Sequence, residues 1–201
     1  SNLYHDKFFN HIDRYVFNFS EEDFRTYAPD LLITIGQNVV TKKVKEFLRK
    51  AKPTKHWHMD QHWCPNTYYA LTEKIDAKPE VFFGQLLPFS RLEPQAYYNL
   101  WSVLKDKRDE KHDAFCKASS FSDFTIFETL EQKIPENYHG HISNSSAIRY
   151  AELFPYSKNH HIFCNRGTSG IDGCTSTAMG YAMMNENPVI LITGELSFMY
   201  D

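Results

Sequence analysis

The feature that most constrains this chain is a short apolar run, His161-Ile-Phe-Cys164, that feeds Asn165-Arg-Gly-Thr-Ser-Gly-Ile-Asp-Gly173 and then a small-residue helical pattern from Cys174 to Met184. Gly167, Gly170 and Gly173 stand at a strict spacing of three. A strand, a glycine-rich turn and a helix start together predict an anion cradle. Glycine permits close approach and positive φ, while unpaired N–H groups and the helix dipole face the ligand. A second such unit follows: Val189-Ile-Leu-Ile-Thr193, then Gly194 and Glu195. A carboxylate at the carboxyl end of a parallel strand is where α/β enzymes hold a metal or a phosphate-bearing cofactor. The Gly-x-x-Gly-x-x-Gly spacing alone is weak and is not the dinucleotide fingerprint. The strand-Gly-acid turn beyond it sharpens the signal.

Composition narrows the class. At 201 residues the chain holds one large or two small domains, and 42% hydrophobic content is ample for a core. A net charge of −3 argues against general nucleic-acid or anionic-membrane affinity. No apolar run approaches the ~20 residues of a membrane span. Cys64, Cys116, Cys164 and Cys174 form no CxxC pair, which predicts a reducing, cytoplasmic setting and makes the Asn18 and Asn144 sequons chance matches. The start carries neither an initiator Met nor a signal-peptide core. The chain reaches Asp201 just past a strand, with no closing helix and no further metal ligands, so it reads as an internal fragment of a longer enzyme.

The remaining pattern predicts an α/β fold: two three-layer α/β/α modules with mainly parallel sheets. Ser20 ahead of an acidic first turn predicts a capped helical turn ending at Pro29. Leu31–Ile35 reads as a parallel strand buried on both faces, followed by a turn at Gly36-Gln-Asn38. A helix over Val40–Arg49 stopped by Pro53 and a strand over Lys55–Met59 complete a βαβ unit. A strand-like Ala70–Ile75 and a short helix over Phe82–Leu87 close this module. Past Pro88 and Pro94, Gln95 to about Lys117 forms one long charged helix, a solvated face rather than a site. The second module then reads helix (Phe121–Lys133), strand (His139–Ser143), helix (Ser145–Phe154), strand (His160–Cys164), glycine-led helix and the 188–193 strand. Residues 1–88 are thus part of one α/β domain, 89–120 a helical connector, and 121–201 the N-terminal part of a second domain.

Several clusters invite roles. His56, His58, His62 and Cys64 offer zinc-type ligands but lack a second pair at ligand spacing, so zinc is the lesser reading. Lys42 and Lys43 open a helix where an acid is preferred; solvated surface is the common case and an anionic ligand the minority one. Ser145 reads as an N-cap in isolation, yet Arg149 one turn on can share a polar mouth with Arg166. Two arginines at neighbouring strand ends imply a carboxylated substrate.

Residues 144–201 resemble the pyrophosphate-binding domain of thiamine-diphosphate enzymes. More narrowly they resemble the 2-succinyl-5-enolpyruvyl-6-hydroxy-3-cyclohexene-1-carboxylate synthases of menaquinone biosynthesis. The likeness rests on Asn144-Ser145…Arg149, on Asn165-Arg-Gly-x-Ser-Gly-Ile-Asp-Gly173 and on Gly-acid-Leu-Ser-x-x-Tyr-Asp at 194–201. Residues 31–43 are similar, more loosely, to the strand-turn-helix of that family's central domain. The resemblance implies a transferase that decarboxylates 2-oxoglutarate and adds the succinyl unit to isochorismate. Its cofactors would be thiamine diphosphate with Mg²⁺ or Mn²⁺, and it would work as a homo-oligomer, dimer or tetramer. It implies that Ile171 wedges the cofactor, that the Ser169–Gly170 backbone faces its aminopyrimidine, and that Gly194, Glu195, Leu196 and Ser197 bind the diphosphate, with Glu195 on the metal. Ser145, Arg149, Arg166, Lys42 and Lys43 would hold substrate carboxylates. The family usually has Asp where this chain has Glu195. No catalytic residue falls within these 201 residues, since the activating glutamate belongs to a separate pyrimidine-binding domain, so the isolated chain is expected to be inactive. Alternatives are an acetolactate-type enzyme of the same superfamily, or a non-catalytic α/β binding module.

Overall fold

The computed structural model describes residue 5 and residues 7–36, 39–90, 95–157 and 159–201. The expected turn at Gln37 and Asn38, and Pro94, lie outside the described residues. The chain divides into two compact units, one of Tyr15–Arg108, the other joining Asp109–Asp201 with the segment up to Arg14. Each is an α/β module on a three-stranded parallel sheet.

The first unit is ordered β1-β2-β3, with β1 Leu31–Ile35, β2 Lys55–Met59 and β3 Glu73–Ile75. A short helix, α1 (Ile12–Val16), comes first in the chain. Ser20 caps α2 (Glu21–Thr26), where its side chain accepts from the Asp23 amide while the Asp23 carboxylate accepts from the Ser20 amide. The helix between β1 and β2, α3 (Lys42–Ala51), starts later than its apolar spacing suggests because Thr41 takes the cap and accepts from Val44 N–H at 3.0 Å. It stops at Lys52, whose left-handed φ of 48° ends the helix before Pro53 can. The β1 strand is not buried on both faces: Leu31 and Ile35 are 40% and 49% exposed. A strand at the end of the β1-β2-β3 order has a neighbour on one side only, so a continuous apolar run predicted the strand correctly but overstated its cover. Helix α4 (Pro79–Leu86) and a 3₁₀ turn through Phe89 close the module.

The core of this unit is aromatic. Phe19, Phe24, Tyr27, Phe47 and Trp101 meet with ring centroids 5.0–6.3 Å apart, several of them edge to face. Such pairs add about 0.5–1.5 kcal/mol each beyond the area they bury. Trp101 comes from α5 (Ala96–Ala118), the long charged helix, which continues past Arg108 into the second unit.

The second unit has the order β5-β4-β6, with β4 His139–Ile142 in the centre, β5 His161–Phe163 and β6 Val189–Ile192. Helix α6 (Asp123–Lys133) precedes β4, α7 (Ser146–Ala151) joins β4 to β5, and α8 (Cys174–Met183) joins β5 to β6. Gly140 lets β5 lie close, since a Cβ there would come within 2.8 Å of Ile162 Cδ1. The chain leaves β4 for one neighbour and reaches the other through α8, so connections diverge on either side of β4. That is the place where open parallel sheets bind ligands, beyond the carboxyl ends of the strands. After β6 a further turn of helix, α9 (Glu195–Met199), corrects the expectation of a strand with no closing helix. Among the described residues no helix is long and apolar enough to cross a membrane.

Candidate functional site

Register fixes where the predicted residues come together. His141 pairs with both Phe163 and Leu191, and Ile142 with Ile192, so the three strands of the second unit end level. Ser143–Ser145, Cys164–Gly173 and Thr193–Ser197 therefore issue from one edge of the sheet. This brings Ser145, Arg166, Ser169, Gly170, Ile171, Gly194, Glu195, Leu196 and Ser197 to a common rim. Lys42 and Lys43 lie in the other unit, on the first turn of α3, where Lys43 pairs with Glu46 at 3.0 Å and lies over the Phe17 ring.

Asn144 organises the rim. Its side chain is almost wholly buried; Nδ2 donates to Asn165 O and Gly170 O, both at 2.6 Å, and Oδ1 accepts from Arg166 Nη1 at 2.5 Å and from the Cys164 thiol at 3.4 Å. One amide thus clamps the start and the middle of the glycine-rich loop and holds the guanidinium of a predicted substrate-binding residue. Ser197 Oγ donates to Ile171 O at 2.5 Å and ties α9 to the same loop. Asn165 Nδ2 reaches forward to Gly173 O and Thr177 Oγ1 on the start of α8. The sequence pattern made Asn144 part of a motif without showing this role. The available signal was a residue with two donors and an acceptor just past a buried strand.

The loop conformation departs in part from expectation. Of the three glycines only Gly173 adopts a positive φ (69°), as the N-cap of α8, while Ser169 takes the left-handed region at φ 61°. A Cβ at Gly170 would meet the Asp172 carboxylate, which would have to swing aside. Ser145 stands at φ 75°, ψ −129° and its side chain makes no cap hydrogen bond, so it is the N-cap of α7 by position only. A serine held there stores on the order of 1–3 kcal/mol of backbone strain, which strand-end sites often carry. The expected open cradle at α8 is partly filled: the Asp201 carboxylate accepts from Ser176 N–H at 2.7 Å and from Ser176 Oγ. These bonds hold the Asp201 carboxyl below its ordinary range and satisfy the positive end of the helix from within the chain.

Charge collects at the opposite side of the rim. Arg149 is exposed on α7 and Arg166 half-buried. Both act on Glu152, which follows α7 and which the sequence reading missed. Burial, with Asp13 nearby, pushes its carboxyl up to about 7 against the pull of Arg166 and Arg149, and its Oε2 is buried with no hydrogen-bond partner. Ser143 Oγ, Arg166 Nε and His141 Nε2 are likewise buried without partners. A small cavity of about 10 Å³, room for roughly one water, is lined by His141, Phe163, Cys164, Asn165, Cys174 and Leu191 among others.

The metal reading is carried by Glu195 alone in this chain. It is exposed in the first turn of α9, behind Gly194 as N-cap, and no side chain caps that turn. Among the described residues no group of three or more His, Cys, Asp or Glu is placed to hold a metal. In the first unit, His56 Nε2 and His58 Nδ1 both meet Thr34 Oγ1 at 2.8 Å and His58 Nε2 meets Trp63 O at 3.0 Å, so these nitrogens face protein partners.

No family model matches the chain. It is 43% identical over all 201 residues to a 2-succinyl-5-enolpyruvyl-6-hydroxy-3-cyclohexene-1-carboxylate synthase of Flavobacterium johnsoniae, and 42% identical, again over its whole length, to one of Flavobacterium psychrophilum. The synthase of Bacteroides thetaiotaomicron is 33% identical over 94% of the chain. The chain spans 36% of the length of the two Flavobacterium relatives. Over its full length, then, this chain resembles about a third of a 2-succinyl-5-enolpyruvyl-6-hydroxy-3-cyclohexene-1-carboxylate synthase.

Proposed function

We propose that the rim at the carboxyl edge of the second sheet is the diphosphate and substrate side of a thiamine-diphosphate site in such a synthase. The observation that supports this best is the Asn144 clamp. One buried amide fixes the glycine-rich loop at Asn165 and Gly170 while aiming Arg166, and Ser197 fixes Ile171 from the other side. A loop held from two elements can present Ile171 and the Ser169–Gly170 backbone to a cofactor with little ordering left to do on binding.

Buried donors and acceptors without partners at this rim, Ser143 Oγ and Arg166 Nε among them, fit a polar ligand that completes them. Thiamine diphosphate, when bound, supplies the electron sink for decarboxylation of a 2-oxo acid. The work of this chain is to bind and orient. Gly194, Glu195, Leu196 and Ser197 hold the diphosphate end, with the Glu195 carboxylate as one ligand of Mg²⁺ or Mn²⁺. Mg²⁺ keeps several waters and phosphate oxygens in its octahedron, so a single protein carboxylate suits its usual donor set. Glu195 is one methylene longer than the family's usual Asp, and its carboxylate would still supply one hard oxygen donor to such an ion. Arg149 and Arg166 take the carboxylates of 2-oxoglutarate and isochorismate, and Ser145 hydrogen-bonds beside them. In this reading the synthase acts as a cytoplasmic homo-oligomer, and the 201 residues alone are inactive.

Calorimetric titration of the full-length protein with thiamine diphosphate, with and without Mg²⁺, tests the reading. Glu195→Gln keeps shape and an acceptor oxygen but loses the charge, so it should abolish most of the Mg²⁺ enhancement while leaving thermal stability nearly unchanged. Glu195→Asp should retain it. A Gln variant with the wild-type Mg²⁺ enhancement removes Glu195 from the metal site.

A further inference from the structure

Gly173, the N-cap of α8, has no side chain to accept from the first turn of its own helix. Asp201 supplies the missing acceptors from 25 residues beyond Ser176: Oδ2 accepts from Ser176 N–H at 2.7 Å and Oδ1 from Ser176 Oγ. Asp201 stands just past the end of α9, so these bonds tie the end of one helix to the start of another. The middle of α9 is tied as well. Ser197 is 4% exposed, and its Oγ donates to Ile171 O at 2.5 Å.

A helix of five residues cannot hold itself. Its own closing bonds are Phe198 N–H to Gly194 O and Tyr200 N–H to Leu196 O, both at 3.0 Å. Its position is therefore set from outside: by β6 through Gly194, by the glycine-rich loop through Ser197, and by α8 through Asp201. Glu195 is exposed on the first turn of this helix, so the placement of the turn decides where its carboxylate can reach.

We propose that Asp201 is a positioning residue: its hold on Ser176 fixes the Glu195 turn against α8 and the glycine-rich loop, so that the metal-binding and cofactor-facing parts of the rim move as one body. The proposal rests on the reading of Glu195 as a metal ligand. The bonds from Ser176 also hold the Asp201 carboxyl below its ordinary range, so it is an ionised acceptor at neutral pH. A bland role exists beside this one. A carboxylate at the start of a helix stabilises that helix, and a cap of α8 alone would leave α9 where β6 and Ser197 put it. The two roles differ in which helix loosens when the carboxylate is removed.

The test is amide hydrogen exchange on the full-length protein without cofactor, followed by calorimetric titration of thiamine diphosphate with and without Mg²⁺. Asp201→Ala should speed exchange across 194–200 as well as at 174–177. It should also cut the Mg²⁺ enhancement of cofactor affinity roughly tenfold, as loss of a group that orients a metal ligand does, with little change in affinity without Mg²⁺. Asp201→Asn keeps an acceptor for Ser176 N–H and offers Ser176 Oγ a donor in place of the other, so it should restore most of both readouts. Ser176→Ala removes only the hydroxyl half of the tie; it should give the same pattern at smaller amplitude and decides the case if Asp201→Ala does not fold. Faster exchange confined to 174–177 would make Asp201 a cap of α8 and overturn the proposal. So would an unchanged Mg²⁺ enhancement in Asp201→Ala when Glu195→Gln abolishes it. If Glu195→Gln itself kept the enhancement, the metal reading would fall separately, and the exchange pattern alone would decide whether Asp201 positions the turn.

Discussion

The two sheets carry the same sequence device and use it differently. The central strand of each has histidines at alternate positions, His56 and His58 on β2, His139 and His141 on β4, and all four are buried. In the first sheet the pair is bridged. His58 Nε2 must donate to Trp63 O, so its Nδ1 accepts from the Thr34 hydroxyl, whose oxygen in turn accepts from His56 Nε2–H. A neutral chain of donors and acceptors runs through one threonine. In the second sheet His139 Nδ1–H donates to Tyr181 OH at 2.6 Å and Nε2 accepts from Asn187, but His141 is not bridged to it. His141 packs on Phe163 and Tyr181 and leaves Nε2 without a partner beside the glycine-rich loop. Buried polar atoms with partners specify a core. His56 Nδ1 in the first sheet also lacks a partner, but in the second sheet His141 Nε2 is joined by Ser143 Oγ and Arg166 Nε around the strand ends, where a polar ligand can complete them.

The largest effect expected within this comparison comes from the second sheet. Asn144→Ala removes two donors and the acceptor held by Arg166, and orphans two backbone carbonyls in a buried setting. Urea denaturation of the full-length protein should show a loss of about 3–4 kcal/mol. A loss below about 1 kcal/mol would mean that the loop holds itself and Asn144 merely fills space.

Thr34→Val is the matching change in the first sheet. It keeps the volume and leaves His56 Nε2–H and His58 Nδ1 facing a methyl group, a loss of about 2 kcal/mol. Tyr181→Phe deprives only His139 of one partner and should lose about 1 kcal/mol. If Tyr181→Phe matched Thr34→Val, the two histidine pairs would be equally structural and the contrast between the sheets would fail.

What the residues declared in advance, and what they hid, follows the same division. The βαβ pattern at 31–59 and the strand-loop-helix at 161–183 were legible because period and glycine spacing are local. The Asn144 clamp, the bridge through Thr34 and the Asp201 carboxylate at α8 were not, because each joins residues 20 or more positions apart that only register brings together. The arginines were legible as candidates, but Glu152, raised by its burial and by the charge of Asp13 far away in sequence, carries no local signal at all.

The smallest effect is on pH, and it sets the buried histidines of both sheets against Glu152 by sign. Burial lowers the pKa of His56, with His58 adding to it, and of His141, with His139 adding to it. The groups facing them are otherwise uncharged: Thr34 and Tyr68 around His56, Tyr181 and Phe163 around His141. A histidine whose folded pKa is depressed contributes full stability above its unfolded value near 6.5. That stability is lost as pH falls, because the unfolded chain takes up a proton that the folded one refuses. Glu152 runs the other way. Its folded pKa is raised to about 7 by burial and Asp13, so the folded carboxyl keeps its proton where the unfolded one ionises, and stability falls as pH rises from its ordinary value near 4.5 through about 7. Urea midpoints of the full-length protein between pH 8 and 5 read both trends. His56→Gln should flatten the acid side, while Glu152→Gln should flatten the rise toward acid that the carboxyl imposes and leave a steeper histidine loss exposed. If Glu152→Gln left the profile superimposable on wild type, the carboxyl would be ionised in the folded protein and paired with Arg166. The charge at the rim would then be a closed ion pair rather than a cationic mouth open to a carboxylated ligand.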